Sequence, residues 1–241
     1  MIKKILFYCF LFIEFIIYCS YIYLDIHNGG PGLLSNTIKY TGIILCNLFF
    51  AFCRQYIDHT KSLMYIHLSL MFVLFCDYFL LFTTSYVWGV LLFCIIQFIY
   101  FLHIKGNCQF FKYYSMIVFI TSLIGFIAQR NGLTIHFLEI LSVFYFINLI
   151  GNIIISLQRT KKAPGNLREL SFAIGLILFL LCDINVGIVN LIHYIPDSLA
   201  FKWHLYEFSA ILMWTFYLPA QIIIAVSTLF DKHYPFLQSE S

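Results

Sequence analysis

The sequence predicts an all-α fold: a polytopic membrane bundle of about eight transmembrane helices, one integral domain over residues 1–241, with both termini cytoplasmic. Three observations carry this expectation. The chain is 62% hydrophobic and only 10% charged, against about 25% charged residues in soluble domains. Its apolar runs come close to the roughly 20 residues a helix needs to cross a bilayer, and polar or Gly/Pro breaks separate them. With alternating helices, the basic residues sort unevenly between the two sides. Lys3, Lys4, Arg54, Lys61, Lys105, Lys112, Arg159, Lys161, Lys162, Arg168 and Lys232 fall on one side, and only Lys39, Arg130 and Lys202 on the other. That bias assigns the first side to the cytoplasm.

The first span, 5–23, follows two lysines and so imitates a secretory signal. Its apolar run is too long for a signal core, Glu14 sits in its centre, and no small-residue cleavage site follows, so it reads as an uncleaved helix. HNGGPG (27–32) ends it, and Lys39 opens the second span, 39–54. After CRQYIDHTK (53–61) comes the third, 63–82, with Asp77 about 10 Å inside its outer end and Thr84 seven residues further on the same face. TTS (83–85) leads to the fourth, 86–103, where Gln97 and Tyr100 share a face. HIKGNCQ (103–109) and QRNG (129–132) bound the fifth, 113–129, and the sixth, 134–157, carries Glu139 near its outer end. QRTKKAPGNLRE (158–169) precedes the seventh, 170–192, and HYIPDSLAFKWH (193–204) the eighth, 206–230. In the eighth, Trp214, Tyr217 and Gln221 share a face and Pro219 is expected to bend the rod.

The seventh span is the most informative. Asp183 lies near its middle, and an ionised carboxylate at that depth costs roughly 2.5–3.5 kcal/mol even on mild insertion scales. Asp183, Gly187 and Asn190 stand at i, i+4 and i+7, a narrow polar stripe on one face. Spans three and seven also carry matching text, FVLFCDYFLL and LFLLCDINVG, which a duplicated four-helix unit would explain.

The sequence alone leaves plainer readings open. A buried Asp can simply fix helix register, Gln97 and Gln221 can be interhelical glue, and Trp214 and Tyr217 can be packing or interface residues. Cysteines 9, 19, 46, 53, 76, 94, 108 and 182 form no C-x-x-C pair, so neither a disulfide framework nor a zinc site is expected. The eight histidines lack metalloprotease spacing; His193 and His204 flank an outer loop. No metal and no cofactor is expected. A net charge of +3 is too small to suggest nucleic acid.

These residues together resemble the lysoplasmalogenase (YhhN-like) family of eight-helix membrane proteins. That family's pattern has Lys-Pro opening helix two, Gly-Asp ending an apolar run in helix three, and Ala-His-x-x-Tyr in helix four. Ser-Asp follows in helix seven and Tyr-x-x-x-Gln in helix eight. The corresponding text here is Lys39-Tyr40, Cys76-Asp77, Ile96-Gln97 with Tyr100, Cys182-Asp183, and Tyr217 with Gln221. The chain departs at Tyr40 for Pro, at Cys76 and Cys182 for Gly and Ser, and at Gln97 for His, which removes a group that titrates near neutral pH.

The resemblance implies a membrane-embedded hydrolase that cleaves the vinyl ether bond of lysoplasmalogen-type lysophospholipids to fatty aldehyde and glycerophospho-alcohol. It implies Asp77 and Asp183 as the catalytic pair, one carboxyl giving a proton and the other steadying a cation or orienting water. Lys39 is expected to meet the lipid phosphate at the membrane edge as a point charge. Gln97, Tyr100, Tyr217 and Gln221 are expected to bind substrate or water. The partners implied are the lysophospholipid substrate and membrane lipids, and the location is the inner (cytoplasmic) membrane. Two other functions fit the same residues: a lipid-binding or proton-coupled transporter without bond cleavage, and a sensor or assembly protein whose polar groups lock the bundle.

Overall fold

The computed structural model describes residues 2–54, 61–106, 110–132, 134, 136–192 and 201–230. Among these residues the regular structure is all helix: α1 (Ile2–His27), α2 (Leu33–Arg54), α3 (Lys61–Phe82), α4 (Tyr86–Lys105), α5 (Phe110–Arg130), α6 (Phe137–Lys162), α7 (Leu167–Leu191) and α8 (Lys202–Ser227), closed by a 3-10 turn at Thr228–Phe230. All eight α-helices are long and apolar enough to cross a membrane. The shortest has 20 residues and the longest 26, which is about 30 to 39 Å of helix.

The boundaries follow local chemistry. α1 ends where Gly29 and Gly30 take φ of 68° and 148°, backbone angles that favour glycine. α2 then begins at Leu33 rather than at Lys39, so Lys39 stands in its second turn. Gly106 closes α4 at φ 67°, its N–H on the Leu102 carbonyl. At the start of α6 the exposed Glu139 carboxylate accepts from the His136 N–H at 2.8 Å, the returning half of a capping box. α7 is capped by Asn166, whose side chain accepts from the Arg168 N–H at 3.1 Å. α3 stops at Phe82, so Thr84 lies beyond the helix and is exposed. The expectation that Thr84 shares a helical face with Asp77 fails for that reason.

The chain divides into two compact units. The first takes residues 1–57 and 162–241, and so holds α1, α2, α7 and α8; the second takes residues 58–161, with α3 to α6. These are not the sequential halves that a duplicated four-helix unit would give.

In the first unit, α1 and α2 meet through Phe10 stacked on Phe49 at 3.9 Å. α7 and α8 approach closely at Gly175, where a Cβ would stand 2.6 Å from Ile224 Cγ1 and 3.3 Å from the Ala220 carbonyl oxygen. Pro219 sits inside α8 and has no N–H for the Thr215 carbonyl one turn back. The Tyr18 hydroxyl from α1 donates to that carbonyl at 3.4 Å, and Tyr21 donates to the neighbouring Trp214 carbonyl at 2.9 Å. A backbone group freed within lipid must find such a partner from a neighbouring helix.

In the second unit, α4 and α5 join through stacked rings: Phe98 on Tyr114 at 4.0 Å and Phe101 on Tyr113 at 4.4 Å. Arg159 of α6 donates to the His103 carbonyl at 3.4 Å and to the Ile104 carbonyl at the end of α4. A cation at a helix C-terminus meets both the orphan carbonyls and the negative end of the helix dipole.

The distribution of residues runs opposite to that of a water-soluble domain. Phe12, Phe15, Phe119 and Phe126 are exposed, while Glu14, Lys39, Gln97, Asn152 and Gln221 are buried. Large apolar side chains on the surface with polar ones inside is the arrangement a hydrocarbon solvent favours.

Candidate functional site

The first unit holds a buried polar cluster around Lys39. The turn GGPG folds the end of α1 back onto the start of α2, which brings Asp25 to Lys39: the ammonium Nζ lies 2.7 Å from Asp25 Oδ2, with the side chains 0% and 3% exposed. Ser35, one turn before Lys39, donates its hydroxyl to Asp25 Oδ1. The ammonium also faces the Trp214 ring at 4.9 Å and the Tyr21 ring at 5.7 Å, within cation–π range. From Trp214 the rings continue to Tyr217 at 5.0 Å and from Tyr217 to Phe179 at 5.5 Å. Phe179 stands four residues before Asp183 on α7, so both lie on one helix face.

This corrects the expectation of Lys39 as a charge at the membrane edge. Lys39 is fully enclosed and its charge is matched by Asp25. Sequence reasoning missed Asp25 because it lies just past the expected first span. The available signal was an acid and a lysine on either side of a Gly/Pro turn.

Gln221 is 0% exposed, and neither atom of its carboxamide has a hydrogen-bond partner among the described residues. Trp214, Tyr217 and Gln221 stand at i, i+3 and i+7, on the face the sequence predicts. Asp183 and Gly187 are half-buried and Asn190 is exposed, so the polar stripe of α7 runs from the packed interior outward. Asn190 turns back to the Val186 carbonyl at 2.7 Å. A Cβ built on Gly187 meets nothing within 4 Å. Glu14, which had no evident partner in the sequence, is buried and accepts from the Cys46 thiol at 3.4 Å.

The second unit holds Asp77, Gln97 and Tyr100, all buried. Cys76, beside Asp77, donates its thiol to the Gly89 carbonyl at 3.1 Å and so ties α3 to α4. Gln97 pairs with Asn152 of α6, a residue the sequence analysis did not select. Asn152 Nδ2 donates to the Gln97 backbone carbonyl at 3.0 Å and to its side-chain Oε1 at 2.8 Å. Asn148, Asn152 and Ser156 repeat at i, i+4 and i+8, a polar row on α6, and all three are buried. That period of four was visible in the sequence as the one signal for this row.

Among the described residues, Gln97 Nε2, Asn152 Oδ1, Asn148 Oδ1 and Ser156 Oγ have no hydrogen-bond partner. Each such group buried from water costs about 1–3 kcal/mol, and whole-protein stabilities are only about 5–15 kcal/mol. Glue between helices would satisfy its own donors and acceptors. Among the described residues this row and Gln97 leave more than half of theirs open.

The structure thus assigns Lys39, Asp183, Tyr217 and Gln221 to the first unit, and Asp77, Gln97 and Tyr100 to the second. Glu139 serves its own helix start. His204 is exposed, and His193, Lys232 and Cys108 lie outside the described residues. Among the described residues no three His, Cys, Asp or Glu side chains gather in a way that could hold a metal ion.

Fold and site together define a class: a multi-pass helical membrane protein with buried polar clusters inside an apolar exterior. Comparison with protein-family models, with curated proteins and with solved structures finds no match for this chain.

Proposed function

We propose that the chain is a membrane-embedded hydrolase acting on the vinyl ether bond of lysoplasmalogen-type lysophospholipids. The observation that carries this reading is the cluster in the first unit. Lys39, Tyr217 and Gln221, three residues selected by resemblance to the lysoplasmalogenase family, are all buried on the packed faces of α2 and α8. The Gln221 carboxamide there has both hydrogen-bonding atoms free among the described residues, which suits a group that binds a ligand rather than one that holds helices.

The chemistry asks for few groups. A proton goes to the alkene carbon remote from oxygen, leaving an oxocarbenium ion at the carbon next to it. Water adds to that carbon, and the hemiacetal collapses to a fatty aldehyde and a free glycerol hydroxyl. Asp77 and Asp183 are the proposed acids, for proton delivery and for steadying the cation. Lys39 acts from within the protein: held by Asp25, it fixes the Trp214 and Tyr217 rings that flank the cluster. We place both termini in the cytoplasm and the protein in the inner membrane, on the sorting of its basic residues.

The test incubates the purified full-length protein with lysoplasmalogen and measures fatty aldehyde beside Asp77→Asn and Asp183→Asn. Aldehyde from the wild type with a loss of 100-fold or more in both variants, in line with general acid–base contributions of about 10²–10⁴, supports the reading. No aldehyde from the wild type, or equal turnover in all three, rejects it. A second reading is favoured by Gln97, which stands where the family has a titratable His: a lipid-binding or transporting protein that cleaves nothing. It predicts lipid binding without aldehyde.

A further inference from the structure

Two buried amides in the second unit fix each other's orientation. A backbone carbonyl can only accept, so the Asn152 atom 3.0 Å from the Gln97 carbonyl oxygen must be its nitrogen. The same nitrogen lies 2.8 Å from the Gln97 side chain, so the Gln97 atom there must be its oxygen. Amide orientation, ordinarily a matter of inference, is settled at both residues by one backbone group. The Gln97 nitrogen, with two N–H donors, is thereby turned away from Asn152. It has no acceptor among the described residues, and the residue is 0% exposed. Gln97 stands eight residues from the Lys105 end of α4, about 12 Å along the helix, well inside hydrocarbon.

We infer that Gln97 Nε2 is a built donor site for an uncharged oxygen acceptor in the membrane interior, and that Asn152 is the positioning residue that sets its polarity. The acceptor is uncharged because the Gln97–Asn152 pair and its row-mates Asn148 and Ser156 are all neutral. Arg159, the nearest cation along α6, spends its guanidinium on the carbonyls that end α4. Such an oxygen belongs either to a glycerolipid, as a hydroxyl, ether or ester carbonyl, or to a water molecule. The site rests on the proposed role of Gln97 in lipid contact but not on hydrolysis.

The test uses the purified full-length protein in detergent, titrated with a 1-monoacylglycerol and, separately, with the n-alkane of the same chain length. Unfolding temperature is read for wild type, Gln97→Met, Asn152→Leu and the double variant. Neither probe has a vinyl ether, so the result is independent of any aldehyde assay. With a lipid oxygen on Nε2, monoacylglycerol raises the wild-type midpoint saturably and the alkane does not. Gln97→Met, close in size but without a donor, then weakens monoacylglycerol about tenfold, as loss of one hydrogen bond of about 1.4 kcal/mol would. Asn152→Leu weakens it less, by freeing the carboxamide to turn over. It adds nothing in the Gln97→Met background, which a merely structural role for Asn152 would not produce.

A high-resolution structure of the wild type in the same detergent separates the sources and stands in for any variant that fails to fold. Density on Nε2 continuous with an acyl chain marks lipid. A compact isolated peak, with no preference between the two probes, marks water. No density on Nε2, or an acyl chain on Nε2 with a monoacylglycerol response unaltered in Gln97→Met, overturns the inference.

Discussion

Replacing Lys39 with methionine removes an ammonium that is 0% exposed and leaves Asp25, 3% exposed, without its cation. At 2.7 Å and an effective dielectric near 20, the attraction between the two charges is about 6 kcal/mol. The Trp214 face, 4.9 Å from the ammonium, adds up to about 2 kcal/mol where water is excluded. Against this stands a desolvation cost of several kcal/mol per ion, so the pair as a whole contributes little net stability. The single variants do not share that balance, because each strands one charge. Lys39→Met and Asp25→Leu are each expected to lose about 3–5 kcal/mol, while the double variant recovers most of the loss. Unfolding in SDS followed by tryptophan fluorescence measures this, since Trp214 lies against the pair. Lys39→Met costing under about 1 kcal/mol, or a double variant no more stable than the sum of the singles, would refute the reasoning. If the double variant folds yet releases no aldehyde, the charge serves the proposed reaction rather than the fold.

The remaining predictions concern helix contacts. Gly175→Ala forces a Cβ within 2.6 Å of Ile224 and 3.3 Å of α8 backbone, and is expected to lose about 1–3 kcal/mol in the same unfolding assay. Gly42→Ala meets only side-chain atoms, Glu14 Oε2 and Leu218 Cδ1 at 3.1 Å and Ile17 Cγ2 at 3.2 Å, so its loss should be the smaller of the two. Tyr18→Phe removes the donor to the Thr215 carbonyl and should cost about 0.5–1.5 kcal/mol. Pro219→Ala restores a helical N–H to that carbonyl, so adding Tyr18→Phe to it should cost nothing further by a double-mutant cycle.

Much of the fold was legible in the sequence because a membrane span is a one-dimensional signal. Every backbone polar group must be satisfied within the segment, so an apolar run of sufficient length has few alternatives to helix. The breaks were legible too: Gly29, Gly30 and Gly106 lie where the chain leaves helix at positive φ. The partners of buried polar groups were not. Asp25 finds Lys39 through the relative rotation of two helices, which the intervening turn sets and the residue types do not announce. Cys46 as the donor to Glu14 could not be told from a cysteine that merely packs. Asn148, Asn152 and Ser156 carried a visible period, but the same spacing occurs in ordinary interhelical contacts. What distinguishes them here is the set of hydrogen bonds left unmade, which only coordinates reveal.

The interleaving of the two units has a consequence for synthesis. α3 to α6 are contiguous and can associate as soon as they leave the ribosome, whereas α1 and α2 must wait for α7 and α8. Trp214 is made 175 residues after Lys39, a delay of roughly 10–35 s at ordinary translation rates. Through that interval Asp25, with the Tyr21 ring beside it, is the one carboxylate among the described residues paired with the lysine's charge. Loss of Asp25 should therefore show itself first in the nascent protein, as misinsertion or degradation, before any defect in the finished one.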